Sequence, residues 1–384
     1  MIAYDRDKLD ALETREKAGQ WQQKGLLTDD QWQEVQKAND PRFYTPNRFV
    51  RIGLAVFCFI LMLAAMGLIG IFADPDTETG LALFGLFWGV VWILILEHWA
   101  IRSARHFGSG IDDMLLYVAA TVVVASLCNL LPYNTDILVS YLIAWPVLVL
   151  GAIRYRDRVM AAAAFICSLV ILFRIVENIP QVAPYLMPLA GLVFSAAAYR
   201  FSRQAEQRRD WRFWYDVLVV VELLALVAFY ASGNYWVVQQ AGEGLFGLPV
   251  PPLGWFFWIF TFTVPALYLY LGITRKDRLL LDVGMLCTGA AVFTFRYYFH
   301  VLPWAWAAAI AGAVLFLGAY FSIRYLRSHS GAYTYETDGD TTLLQEAEEQ
   351  LIEQTIATQT PPERTRPEGF GGGQFGGGGA GGEY

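Results

Sequence analysis

Apolar and polar positions along this chain alternate in long blocks, not with the short periods of a soluble helix or strand. Runs of roughly 17–23 mostly apolar residues, enough to cross a ~30 Å hydrocarbon core, fall near 50–72, 80–97, 113–132, 137–153, 159–176, 183–200, 213–232, 254–273, 278–296 and 303–323. The polar stretches between them differ in charge. Arg102 and Arg105 follow the second run, and Arg154, Arg156 and Arg158 surround the break after the fourth. Arg200, Arg203, Arg208, Arg209 and Arg212 follow the sixth, Arg275, Lys276 and Arg278 the eighth, and Arg324 and Arg327 the tenth. Stretches 73–79, 132–136 and 233–254, read as loops, contain no Lys or Arg. Cytoplasmic loops carry the Lys/Arg excess, which puts both termini in the cytoplasm. The pattern predicts an all-α, multi-pass protein of the bacterial inner membrane with about ten transmembrane helices and the lipid bilayer as its surroundings.

Composition sharpens this picture in two ways. The chain is 56% hydrophobic and only 16% charged, against about a quarter charged in soluble domains. Its net charge of −7 comes mainly from the termini and offers no basic surface for nucleic acid. Cys58, Cys128, Cys167 and Cys287 all fall inside predicted spans, at spacings that match no zinc site. They read as buried thiols, and neither a metal nor a cofactor is expected. The first 49 residues are polar, without the apolar core or cleavage site of a signal peptide, so the first span is expected to act as the anchor.

That polar head, 1–49, reads as two short helices. Leu9, Leu12 and Trp21 form a loose stripe that Gly25 interrupts, and Thr28 with Gln31 forms a capping box for a second helix. Pro41 and Pro46 end the head. Trp21, Gly25, Leu26, Leu27, Thr28 and Gln31 resemble the W-x3-G-[IL]-[IL]-T-x-x-Q head of a family of bacterial multi-span membrane proteins described as a domain of unknown function. The resemblance extends loosely to the Gly-rich first span, with Gly53, Gly67 and Gly70. It implies an inner-membrane protein and brings no catalytic residues with it.

A second signal is internal. Residues 146–203 and 265–327 repeat one another at an offset of about 120: Pro146 with Pro265, Asp157-Arg158 with Asp277-Arg278, Cys167-Ser168 with Cys287-Thr288. The series ends with Ala190-Gly191 to Tyr199 against Ala311-Gly312 to Tyr320. Asp113 and Asp216 both stand at the start of a span. The expected organisation is a first pair of spans with its loop (50–112), a four-span unit (113–212), a second four-span unit (213–328), and a tail (329–384). An even number of spans keeps both units in one orientation, which makes them parallel repeats. In the tail, Leu343, Leu344, Ala347, Leu351 and Ile352 alternate with Glu346, Glu348, Glu349 and Glu353 as an acidic amphipathic helix, and the Gly-rich end is expected to be disordered. Head and tail are the places for a protein partner.

Ionisable groups inside a bilayer are the default functional candidates. Glu222 lies about 14 Å into span seven at 1.5 Å per residue, and is either a neutral, hydrogen-bonded carboxyl or one half of a site. Arg174 and Arg296 occupy related positions on the outer half. They either snorkel to the interface, Arg174 beside Glu177, or face one cavity with Glu222. Glu97-His98 and Asp282 read as solvated or capping. No HExxH, GxSxG, P-loop or GxGxxG motif is present, so no enzymatic role is expected. Two functions remain open: transport or handling of a small or lipid-like substrate, or a non-enzymatic scaffold or sensor acting through head and tail.

Overall fold

The apolar runs are helices. A computed structural model describes residues 2–23, 25–133, 135–179 and 181–299, with isolated helical positions between 309 and 324. In the head, α1 (Arg6–Gln23) and α2 (Asp29–Ala38) flank Gly25, whose φ of +74° makes the turn. The capping box is formed: Gln31 N–H donates to Thr28 Oγ1 at 3.3 Å, and Thr28 N–H to Gln31 Oε1 at 2.9 Å.

The long helices are α3 (Arg48–Ala73), α4 (Glu78–Leu94), α5 (Ile111–Asn129), α6 (Ile137–Tyr155), α7 (Arg158–Glu177), α8 (Ala183–Glu206), α9 (Tyr215–Gly233), α11 (Gly254–Thr274) and α12 (Arg278–Tyr298). Between α9 and α11 lies α10 (Tyr235–Phe246), a short helix in a stretch that the sequence presents as loop. Asn234 caps it by accepting from Val237 N–H at 3.2 Å. The end of α4 does not stop at residue 97 as the apolar run suggests, but continues as a π-helical segment, Ile95–Ser103.

Among the described residues, eight helical segments are long and apolar enough to cross a membrane, which makes this a multi-pass membrane protein. The ninth long helix, α8, has the length to span, ~36 Å at 1.5 Å per residue. Pro184, Tyr185, Pro188, Arg200 and Arg203 dilute its apolar content. The expected tenth span, 303–323, lies outside the described residues apart from isolated positions, and the tail helix 341–358 and the Gly-rich end lie wholly outside them. Side chains on α3 show what faces lipid. Phe49, Ile71 and Phe72 are almost fully exposed, and Met62 is the helix's buried residue.

Helices pack as hairpins of sequence neighbours: α4 with α5, α6 with α7, α8 with α9, α11 with α12. Lipid tails are as apolar as leucine, so close backbone approach and polar contacts must supply the association. Gly89 on α4 sits against Val123 and Ala119 of α5, where a methyl group would collide. Three apolar cores result among the described residues, the smallest around Val176, Ala183 and Met187. One gathers Met62, Trp88, Trp92, Leu96, Leu115, Leu116 and Met160. Another gathers Leu226, Tyr230, Val264, Tyr268, Leu280, Val283 and Cys287.

The two DR turns are built alike. Arg156 and Lys276, each immediately before the aspartate, adopt positive φ (57° and 54°). Asp157 caps α7 by accepting from Met160 N–H at 2.7 Å, and Asp277 caps α12 by accepting from Leu280 N–H at 3.2 Å. A glycine on the preceding helix lets the next helix begin close by, Gly151 against Met160 and Gly272 against Leu281. Aspartates at the starts of α5 and α9 are also tied alike: Arg51 of α3 holds Asp113 at 2.6 Å, and Arg158 of α7 holds Asp216 at 2.8 Å.

Candidate functional site

The N-terminal residues close one end of the first core. Ala3 N–H donates to the Arg154 carbonyl at 2.9 Å, and the buried Tyr4 hydroxyl reaches Asp112 at 3.4 Å. Burial and the Asp112 carboxylate push this hydroxyl well above the usual tyrosine range. Phe43 and Phe107 pack on the Tyr4 ring, and Leu9 is fully buried. Asp10 pairs with Arg212, and Glu13 with Arg156 at 3.5 Å. What remains open between Tyr4, Leu96, Asp112, Asp113, Leu116, Tyr155 and Asp157 is about 10 Å³, roughly one water.

At the other DR turn the corresponding space is open. The last turn of α8 carries Arg203 and Glu206, the second turn of α9 carries Glu222, and the α11–α12 turn carries Asp277. Arg203 is the hub. Its Nε lies 3.1 Å from Glu222 Oε1, its outer nitrogens pair with Asp277 and, at 3.6 Å, with Glu206, and its guanidinium rests 5.9 Å over the Tyr199 ring. Glu222 is only 2% exposed. Isolated, that carboxylate would be very costly to bury. Arg203 is what makes the position tolerable, and its own 38% exposure keeps the pair in reach of water.

These groups line a cleft of about 560 Å³, within the range of small-molecule sites, ~300–1,000 Å³. Its inner wall holds one guanidinium, Arg203, and three carboxylates, Glu206, Glu222 and Asp277. Arg275, Lys276 and Arg278 stand at the mouth with one carboxylate, Asp282. Tyr215, Val219, Leu223 and Leu279 supply the apolar surface. Among the described residues, no group of His, Cys, Asp and Glu is arranged to hold a metal ion.

Of the three residues expected to share a site, Glu222 alone belongs to this cleft. Arg158 and Asp216 are paired, so the starts of α7 and α9 lie level. From there Glu222 is ~9 Å along α9, whereas Arg174 is ~24 Å along α7, where it pairs with Glu177 at 2.9 Å. Arg296 is in the last turn of α12, ~28 Å from Asp277 by helical rise. Glu222 therefore meets Arg203 at the arginine-rich end, not the two arginines of the opposite end. The repeat-motif residues divide as well. Asp277 and Arg278 line the cleft, while Asp157 accepts from Tyr117 Oη at 2.8 Å and Arg158 holds Asp216.

Two participants escape sequence reasoning. Arg203 reads as one of five loop arginines, and only the continuation of α8 to Glu206 turns it inward. Glu97, which reads as a solvated helix end, accepts from Arg154 Nε at 2.6 Å and from Tyr155 Oη at 2.9 Å. The wide π turn at Ile95–Ser103 carries it. No protein-family model, curated protein or solved structure matches this chain.

Proposed function

We propose that this multi-pass membrane protein binds and handles a small or lipid-like polar substrate in the cleft around Arg203, Glu222 and Asp277. One observation carries the reading: a cleft of about 560 Å³ reaches a carboxylate that is 2% exposed and is held there by the half-exposed guanidinium of Arg203. A buried ion pair beside open volume is costly to maintain for packing alone. Transport is the finer form of this proposal, with both termini and the arginine-rich turns in the cytoplasm of a bacterial inner-membrane protein. Membership of the family suggested by the Trp21–Gln31 head is part of the same proposal.

A parallel repeat is part of the same proposal. The like geometry of the Asp157 and Asp277 turns, and the like pairs Arg51–Asp113 and Arg158–Asp216, favour a repeating order in which α3 corresponds to α7 and α7 to α12. Under that order the ~10 Å³ space beneath Tyr4 and the open cleft are equivalent places, one filled by the chain's own N-terminus and one left accessible. For the scaffold alternative, Tyr4 and Leu9 are buried inside the protein itself, whereas α2 has no buried residue and leaves its surface open to a partner.

Native mass spectrometry of protein extracted in mild detergent tests the reading. The wild type should retain a bound molecule that Leu223→Trp, which fills the cleft from its apolar wall, excludes. Equal ligand content in the two proteins would remove the cleft as the binding site.

A further inference from the structure

Residues 2–16 lie against the membrane helices along a face built for charge. On α1, Arg6, Leu9, Asp10, Glu13 and Glu16 recur at helical spacing and share one side. Opposite them stand the α6–α7 turn, the start of α7 and the short helix Arg209–Trp214. Asp10 pairs with Arg212, and Glu13 with Arg156 at 3.5 Å. Glu16 stands within electrostatic reach of Arg156 and Arg158, with Asp216 opposing it. Arg6 and Arg212 both lie over the Phe213 ring, at 5.9 and 5.1 Å. The apolar anchors are Tyr4 and Leu9, and Tyr4 is also what covers the space of about 10 Å³ among Asp112, Asp113 and Asp157.

We propose that residues 2–16 are a charge-locked lid, which opens as one unit while the membrane helices stay folded and so admits water to Asp112, Asp113 and Asp157. The carboxylates beneath it are fixed without it. Asp112 accepts from Gly108 N–H at 2.7 Å and from Ser109 N–H at 2.8 Å, Asp113 is held by Arg51, and Asp157 accepts from Met160 N–H and Tyr117 Oη. The space therefore keeps its walls when the lid leaves, and Asp112 gives up a long hydrogen bond, 3.4 Å from Tyr4 Oη. The lock itself is uneven. Asp10 and Arg212 are both roughly half exposed, so salt screens them, whereas the Arg156 side chain is 8% exposed and feels the loss of Glu13 strongly. A segment held by two apolar anchors and a row of ion pairs opens at lower cost than helices packed along their length. This lid is independent of what the open cleft binds.

The test uses the full chain in lipid nanodiscs. Amide hydrogen exchange, read by mass spectrometry, follows residues 2–16 against α5 and α7. In parallel, Leu116→Cys places a thiol on the wall of the covered space, and its rate of attack by a water-soluble thiol reagent is located by peptide mass. Raising the salt from ~0.1 to ~1 M shortens the Debye length from ~10 to ~3 Å. Exchange in residues 2–16 should then quicken about threefold, with α5 and α7 unchanged. Glu13→Gln should quicken it about tenfold at low salt, and Leu116→Cys should react faster by the same factor in that background. Asp10→Asn serves if Glu13→Gln fails to fold, with an expected change of about threefold. Exchange in residues 2–16 as slow as in α5 and α7, unmoved by salt and by Glu13→Gln, overturns the lid. So does an acceleration spread equally over all three elements, which would make the segment part of the global fold. Faster exchange with unchanged reactivity at Leu116→Cys also overturns it, because the segment would then move without uncovering the space.

Discussion

Arg203 on α8 ion-pairs with Glu222 of α9 and with Asp277 of the α11–α12 turn, so its removal is the most informative perturbation. Arg203→Met keeps most of the side-chain volume and strands Glu222 and Asp277, whose side chains are 3% and 10% exposed. Removing one partner of a fully buried pair costs ~3–5 kcal/mol. Arg203 is 38% exposed, however, so water screens part of the interaction and the expected loss is nearer ~2–3 kcal/mol. Glu222→Gln keeps the shape and abolishes the charge, and should cost about 1 kcal/mol. In the double variant no charge remains stranded at Glu222, so the combined loss should be smaller than the sum, by ~1–2 kcal/mol.

Unfolding in detergent micelles, followed by tryptophan fluorescence, measures all four corners of this cycle. Asp277 needs its own control because it has two jobs. Asp277→Asn keeps a good cap for α12 while losing the charge, whereas Asp277→Ala loses both and should cost a further ~1 kcal/mol. Losses for Arg203→Met and Glu222→Gln that add within ~0.3–0.5 kcal/mol would refute the coupling and, with it, the view of Arg203 as the hub.

Three further outcomes are expected. Gly110 caps α5 at φ +91°, and an added Cβ would run into the Arg51 carbonyl of α3. Gly110→Ala should therefore cost ~2 kcal/mol or more, with Gly108→Ala, which meets only the end of the Arg51 side chain, clearly milder on the same unfolding assay. His106 is buried against Tyr44 and Trp99, and burial lowers its pKa while Asp112 partly opposes the shift. Between the folded value and the unfolded value near 6.5 the unfolded state binds more protons, so stability should fall as pH drops through ~6.5 and level off below the folded value. A stability–pH profile of His106→Gln should lack that slope, and an unchanged slope would assign it elsewhere. For topology, a cysteine placed at Glu243 should label from the side opposite to cysteines at Arg208 and Lys276, and labelling of all three from one side would overturn the orientation.

Much of the architecture is legible in the chain because hydrocarbon imposes one rule on the backbone: every N–H and C=O must be satisfied within its own helix. Apolar length then reveals spans, and α3, α5, α6, α7, α11 and α12 begin and end within a few residues of the apolar runs. Where polarity and helicity part company, the reading slips. The π segment Ile95–Ser103 is helical but carries Glu97, His98 and Arg102, and α8 runs past Arg200 and Arg203. Both extensions look like loop by composition, and both carry residues that make inward ion pairs. By contrast α10 has no length signal, and its cap Asn234 sits in a stretch otherwise rich in loop residues. The Asp157 and Asp277 turns could be found because a cap and a positive-φ position leave short, repeated residue signatures.

The slip over Glu222 has a further physical reason. Counting residues from the start of a span measures distance along a helix, which is depth in the bilayer only if water stops at the helix end. Here the tip of α8 and the α11–α12 turn stand beside Glu222, so a cleft reaches this position ~9 Å along α9 and the carboxylate meets Arg203, not an outer arginine across the membrane. Under the proposed repeat one charge recurs at the start of three helices. Arg51 on α3 engages the aspartate that opens α5, and Arg158 on α7 engages the one that opens α9. Arg278 on α12 is third in that order, and it lines the cleft. Arg278→Gln should accordingly leave stability almost unchanged while lowering ligand retention, whereas Arg158→Gln should do the reverse. If both variants lost stability equally, the two arginines would share one structural role and the cleft would have no cation to spare.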